Sequence, residues 1–209
     1  MLNKLFSLIE TVIKEEKSKT HTKINYINIS DDFQILKKIK QCKSTYIKSC
    51  NLDVNILKSK SFKCDLYLSS ECDRSKVFLD VKESKDKLEI NVSYDGDNAN
   101  GYLSIESDAL ESLDITNDNG DIILSYLNIH DIKTRNSNGD TIVDKVVLNE
   151  ADITSKNGDV ILKLANKSRL SLKASNGDVI TNGVESSEDS SSNVNCVVKN
   201  GDIIVEKSY

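Results

Sequence analysis

Apolar and polar positions alternate with a period of two along most of this chain, and from about residue 100 onward the alternation itself recurs every 19 residues. An Asn-Gly pair marks the recurrence, at Asn100-Gly101, Asn119-Gly120, Asn138-Gly139, Asn157-Gly158 and Asn176-Gly177. A sixth copy, Asn200-Gly201, follows 24 residues later. The surplus of five coincides with the Ser-rich, acidic stretch Glu185 to Ser192, which reads as a loop inserted into one coil. After every pair except the first comes Asp and a short β-branched run: Asp121-Ile122-Ile123-Leu124, Asp140-Thr141-Ile142-Val143, Asp159-Val160-Ile161-Leu162, Asp178-Val179-Ile180-Thr181 and Asp202-Ile203-Ile204-Val205. A second alternating pair closes each repeat, at Leu113 and Ile115, Ile132 and Thr134, Ala151 and Ile153, Leu170 and Leu172, and Val194 and Cys196. Leu110, Ile129 and Leu148 mark a third, weaker side.

A 19-residue unit holding two or three short strands is one turn of a β-helix, whose successive coils stack about 4.8 Å apart. The pattern therefore predicts a mainly β fold, a single-stranded β-helix (β-solenoid) with about 19 residues per coil, preceded by a short helical N-terminal segment. Independent hairpins at each Asn-Gly are the weaker reading, because the residues before the turns, such as Arg135-Asn136-Ser137, are mostly polar. Glycine at the corner permits φ > 0, and stacked asparagines can form an amide ladder. The Asp column admits a calcium reading, but known calcium-binding repeats have a shorter period and a denser Gly-Asp pattern. The middle isoleucines, Ile123, Ile142, Ile161, Ile180 and Ile204, form an apolar column on the second face of their sheet, and soluble monomers seldom leave such a patch open. Cover by the N-terminal region is the preferred explanation. At the other extreme, Asp202 to Glu206 reads as an uncapped final strand, open to end-to-end association.

In the N-terminal half the periodicity changes. Leu2, Leu5, Phe6, Ile9, Val12 and Ile13 lie on one stripe of a helix over residues 2 to about 18. Lys23 to Ile29 alternates as a strand, and Ser30 is an N-cap for a second helix from Asp31 to about Gln41, with Phe33, Leu36 and Ile39 on its apolar face. Strands are predicted at Thr45 to Ile47, Leu52 to Leu57, Cys64 to Leu68, Lys76 to Val81 and Lys87 to Ser93. The division is thus 1–43, a helical cap or interaction segment, and 44–209, a β-solenoid domain.

Composition narrows the function. Acidic side chains outnumber basic ones 33 to 28, a net charge of −5, so nucleic acid is not an expected partner despite the cluster Lys37, Lys38, Lys40 and Lys43. Glu10 and Lys14 interrupt the first apolar stretch, so it does not read as a secretory signal, and no segment is long enough to cross a bilayer. The expected location is cytoplasmic, and membrane association through the N-terminal helix is not expected. Cys42, Cys50, Cys64, Cys72 and Cys196 are odd in number and lack Cys-x-x-Cys spacing, so they read as reduced thiols. Proline is absent, in keeping with a chain of ladder-forming strands, though a genome biased toward Lys, Asn and Ile would have the same effect. Only His21 and His130 supply imidazoles, and no nucleophile elbow, phosphate loop or zinc-protease helix occurs. No catalytic, cofactor-binding or metal-ligating residue is predicted, and no cofactor.

The stretch from about Asn51 to Tyr209 resembles the bacterial putative-adhesin β-solenoid family, a domain of unknown function. Leu52-Asp53-Val54-Asn55-Ile56, Lys87-Leu88-Glu89-Ile90 and the serial Asn-Gly-Asp motifs through Asp202-Ile203 carry the resemblance. It implies a rigid, non-enzymatic rod tied in different members to cell-surface attachment or envelope stress, and hence cell-surface or envelope association. The expected role is a structural or interaction module with a protein partner or self-association. Its alternatives are a self-assembling scaffold or filament and, least favoured, a polysaccharide-active β-helix enzyme.

Overall fold

The computed structural model describes residues 33–39, 43–58, 64–69, 73–95, 102–106 and 110–208. The chain divides between Asp32 and Phe33, and all described residues belong to the second unit. The helix predicted over residues 2–18 and the strand over 23–29 lie outside the described residues.

The chain lays down β1 (Phe33–Ile39), β2 (Ser44–Cys50), β3 (Asp53–Leu57) and β4 (Cys64–Ser69). After one turn of 3-10 helix at Arg74–Lys76 come β5 (Val77–Glu83), β6 (Lys87–Tyr94) and β7 (Tyr102–Glu106). The repeat region adds β8 (Ser112–Asn117), β9 (Ile122–Ser125), β10 (Asn128–Asn138), β11 (Thr141–Asn157) and β12 (Val160–Leu164). It ends with β13 (Arg169–Asn176), β14 (Val179–Asn182), β15 (Asn193–Asn200) and β16 (Ile203–Lys207). All five strands predicted between residues 45 and 93 are present.

These strands form two sheet faces joined through the 17-residue β11, whose first residues pair β9 and β12 and whose last residues pair β10 and β15. Lys145, at φ 53°, turns its corner. The repeat-region pairs are all parallel, which disposes of the hairpin reading. Between the faces lies one core of Ile, Leu and Val, including Ile56, Leu103, Ile115, Leu124, Ile153 and Leu162, all within 0–2% exposure. Each such side chain stabilises the fold by about 1.5–3 kcal/mol relative to exposure. The predicted third side is real: Leu110, Ile129 and Leu148 are buried.

Residues 19 apart do stack in the middle of the repeat. Ile123 pairs Ile142, and Ile142 pairs Ile161. Beyond that level the order departs from the sequence, because Ile161 pairs Ile204 and Ile204 pairs Ile180. The last coil, β15–β16, is thus interposed between the coil of β11–β12 and the coil of β13–β14. Glu185 to Ser192 belongs to the segment that carries the chain back one level, and is more than an insertion within a coil. Nor is the C-terminal strand an open end, since β16 is flanked by β12 and β14. At this end of the repeat the edge strands are β13 and β14. The first coil is interposed too: β2 lies between β8 and β6, and β3 between β9 and β7.

The skip coincides with a local change. Nineteen residues after Leu148 the third side offers Lys167 in place of an apolar residue. Asn166 takes over there, its Oδ1 accepting Leu148 N–H at 3.3 Å and its Nδ2 donating to Leu148 O at 2.9 Å. The chain then climbs past one level, and the returning segment is fixed by the Ser168 and Ser192 hydroxyls at 2.9 Å.

The helix predicted from Asp31 to about Gln41 is instead the strand β1, paired antiparallel with β4 from Phe33↔Ser69 to Ile39↔Cys64 with a bulge between Ile35 and Lys37. The three-residue spacing of Phe33, Leu36 and Ile39 suits a helix, but so short a helix is marginal alone, and distant strand pairing outweighs it. Among the described residues no helix is long and apolar enough to cross a membrane.

Candidate functional site

The columns that the repeat singles out are spent on structure. At each corner the Asn amide donates to the Asn Oδ1 of the next level at 2.8 Å, from Asn119 to Asn51, Asn138 to Asn119, Asn157 to Asn138, Asn200 to Asn157 and Asn176 to Asn200. The Asp column runs beside it. Each Asp Oδ1 accepts the backbone N–H of the Asp on the adjacent level at 2.7–2.8 Å, from Asp53 through Asp121, Asp140, Asp159 and Asp202 to Asp178. These carboxylates act as backbone acceptors, and among the described residues no cluster of three or more His, Cys, Asp or Glu side chains is arranged to hold a metal. Burial pushes the Asp53 carboxyl up to about 7 against the opposing hydrogen bond from Asp121 N–H, and burial likewise raises Asp121.

The corner glycines let levels approach closely. Gly120 sits at φ +121°, and a Cβ there would lie 2.6 Å from the Leu52 carbonyl oxygen. Asn51-Leu52-Asp53 is a disguised corner of the same kind, in which Asn51 takes the positive φ of 59°. The Asn-Gly period does not reveal it, because Leu52 stands where the other copies have glycine.

On the Ile column, Ile123 and Ile142 are 4% and 6% exposed, Ile161 and Ile204 are partly buried, and Ile180 is 40% exposed. The column is sealed in its middle and opens toward the β14 edge. Cys196 is buried, which pushes its thiol up to about 12 and makes it inert. Lys43, from the basic cluster, bonds Glu111 at 2.7 Å, which raises the lysine pKa.

A groove of about 720 Å³ crosses β2, β6, β8, β10, β11's second half and β15. Its walls are the outward positions of successive levels, and its floor includes the buried Leu88, Leu113, Ile132 and Ala151. Ala151 and Thr45 are small members of an inward column otherwise filled by Leu, Ile and Val. Five carboxylates, Glu89, Asp114, Asp131, Glu150 and Asp152, line it against two lysines, Lys87 and Lys133. Neighbours orient three of them: Arg135 holds Asp114 at 2.9 Å, His130 Nδ1 lies 2.8 Å from Asp131, and Asn195 donates to Asp152 at 3.2 Å. The acids follow strand spacing rather than converging on one point. This groove was not anticipated, although a signal existed in the 19-residue spacing of Asp131 with Glu150 and of Asp114, Lys133 and Asp152.

No curated protein sequence matches the chain. A solved structure of a putative cell adhesion protein from Clostridium sporogenes ATCC 15579 superposes with a TM-score of 0.59 at 13% identity, over 84% of this chain and 97% of that one, which shows a shared fold. Structures of putative adhesins from Parabacteroides merdae ATCC 43184 (TM-score 0.42, 12% identity, 84% of this chain and 82% of that one) and Bacteroides fragilis NCTC 9343 (0.37, 12%, 85% and 98%) align more loosely. A family model described as Toastrack matches residues 42–208, which include every strand from β2 to β16. The chain belongs to the Toastrack DUF4097 family.

Proposed function

We propose that this chain is a non-catalytic interaction module, a rigid β-solenoid that offers its acidic groove to a protein partner with a basic, extended segment. The observation that carries this reading is the groove itself, with five carboxylates to two lysines spread over successive levels. The net excess of carboxylates attracts an extended cationic chain, and the parallel strands that carry them keep their spacing when the partner leaves. General acid–base chemistry needs two groups converging on one reacting atom, whereas these carboxylates follow a line. Cell adhesion, the role named for the Clostridium sporogenes protein, is the same class of activity, recognition without chemistry. By that analogy the working site is the cell surface or envelope.

The test is affinity capture from cells of the source organism with the parent chain and with the triple variant Asp131→Asn, Glu150→Gln, Asp152→Asn. A protein retained by the parent, released by salt and lost with the variant supports the reading. Equal retention by both chains, or no retention by either, ends it.

A further inference from the structure

We propose that the outer edge of β14 is a self-association surface, on which a second copy of this chain docks its own β14 antiparallel about a two-fold axis at Ile180. This surface stands independently of the groove. In each of the four levels from Asn119 to Asn200 two N–H groups reach the next level at 2.9–3.0 Å. Gly120, Gly139, Gly158 and Gly201 donate to the carbonyls of Asn138, Asn157, Asn200 and Asn176. Ile122, Thr141, Val160 and Ile203 donate to those of Asp140, Asp159, Asp202 and Asp178. At the level of Asn176 both series stop. Among the described residues no carbonyl takes the N–H of Gly177 or Val179, and no donor reaches Asn176 Oδ1 or the Asp178 carboxylate.

The neighbouring edge strand is covered, and β14 is not. Ser186 Oγ accepts the Leu170 N–H at 2.9 Å, and the Arg169 guanidinium holds the Glu188 carbonyl, so the returning segment blankets the start of β13. Proteins blunt open edges with lysine, proline, bulges or such covers. Along β14 none of these is present, and Val179 and Ile180 are 44% and 40% exposed.

The geometry selects the occupant. Ile203 N–H binds the Asp178 carbonyl, so residues 178 and 180 face β16 and the alternate residues Val179 and Thr181 aim N–H and C=O outward. Rotation about Ile180 sets Val179 against Thr181 of the second copy, and Thr181 against its Val179, each pair exchanging both hydrogen bonds. The same rotation brings the Asn182 amide opposite the Asp178 carboxylate, donor to acceptor. It also lays Ile180 on Ile180, so the Ile column continues across the axis. A foreign strand added in parallel would need glycine at its corner, as each level from Gly120 to Gly177 does. The two-fold contact closes on itself and gives dimers rather than filaments. Four-residue strands make a small interface, so the dimer is weak and concentration-dependent.

Sedimentation velocity of the full chain over a concentration series tests this, with Ile180→Lys as the disrupting variant and Phe78→Ser, at the 64% exposed Phe78 on β5, as the control. The expected result is a dimer whose dissociation constant rises at least about tenfold with Ile180→Lys and is unmoved by Phe78→Ser. Because directly opposed residues of a non-hydrogen-bonded antiparallel pair have Cα atoms about 4.5 Å apart, Ile180→Cys is also expected to cross-link into a covalent dimer under mild oxidant, and the parent is not. A parent chain that stays monomeric throughout, or a dimer indifferent to Ile180→Lys with no cross-link from Ile180→Cys, overturns the proposal.

Discussion

The three inner levels around Asn119, Asn138 and Asn157 are laid down in chain order, whereas the two beyond them, around Asn200 and Asn176, are reversed. Both regions carry the same ladders at the same lengths. The Asn contact is 2.8 Å whether its partners are 19, 24, 43 or 68 residues apart. The ladder therefore fixes how any two levels sit on one another, and is blind to which levels they are. Order comes from the connections, where Lys167 fails to continue the third side and the segment ending at Ser192 is long enough to step back.

The sharpest way to break this shared chemistry is to fill a corner. At Gly139, φ is +127° and an added Cβ collides with the Gly120 carbonyl, so Gly139→Ala is expected to cost more than about 3 kcal/mol in urea unfolding, or to prevent folding. Gly183 is the contrast. It also has positive φ, at +67°, but only the Lys207 side chain lies near, at 3.9 Å, so Gly183→Ala should cost about 1 kcal/mol. Equal losses would mean that backbone strain, rather than close approach of levels, makes the corner.

A smaller effect compares the two ends of the Asp ladder, buried at Asp53 and exposed at Asp178. The folded-state pKa of Asp53, about 7, lies above the unfolded value near 3.9, so the folded chain holds the proton more tightly. Between those values stability falls as pH rises, and Asp121, raised in the same direction, adds to the slope. The parent should be more stable at pH 5 than at pH 8. Asp53→Asn keeps an oxygen acceptor for Asp121 N–H, removes the buried charge, flattens the profile and gains on the order of 2 kcal/mol at pH 8. Thermal melts across this range check it, with Asp178→Asn as the control. A parent profile that rises from pH 5 to 8 would falsify the burial argument.

Much of this was legible in the sequence, for a reason that also marks where legibility ends. Corners and strands are local, so the period, the inward pairs such as Leu113 and Ile115, and the third side at Leu110, Ile129 and Leu148 could be read directly. The order of levels is not local, and identical Asn-Gly-Asp corners at Gly158, Gly177 and Gly201 leave it undetermined. Two available clues pointed to it, the break of the third side at Lys167 and the 24-residue spacing, yet an inserted loop explains the second equally well. Strand β1 was misread because Phe33, Leu36 and Ile39 fit a helix, and only pairing with β4, some thirty residues away, decides otherwise. The groove stayed hidden because its acids sit at outward positions, where charge is the ordinary expectation.

Removing Glu185 to Asp189 restores the 19-residue spacing between Asn176 and Asn200 with little expected change in stability. The shortened connection no longer reaches back one level, but it matches the inner ones in length. Every Asn and Asp contact can re-form in serial order, with β13 on β11 and β15 outermost, so the expected stability change is within about 1 kcal/mol. Paired cysteines report the order. In the parent, Asp152 neighbours Asn195, so Asp152→Cys with Asn195→Cys should form a disulfide. In the shortened chain that bond should fail, and Asp152→Cys with Ser171→Cys should form instead. If the Asp152–Asn195 pair still closes after the deletion, the order is set at Lys167 and not by the length of the return.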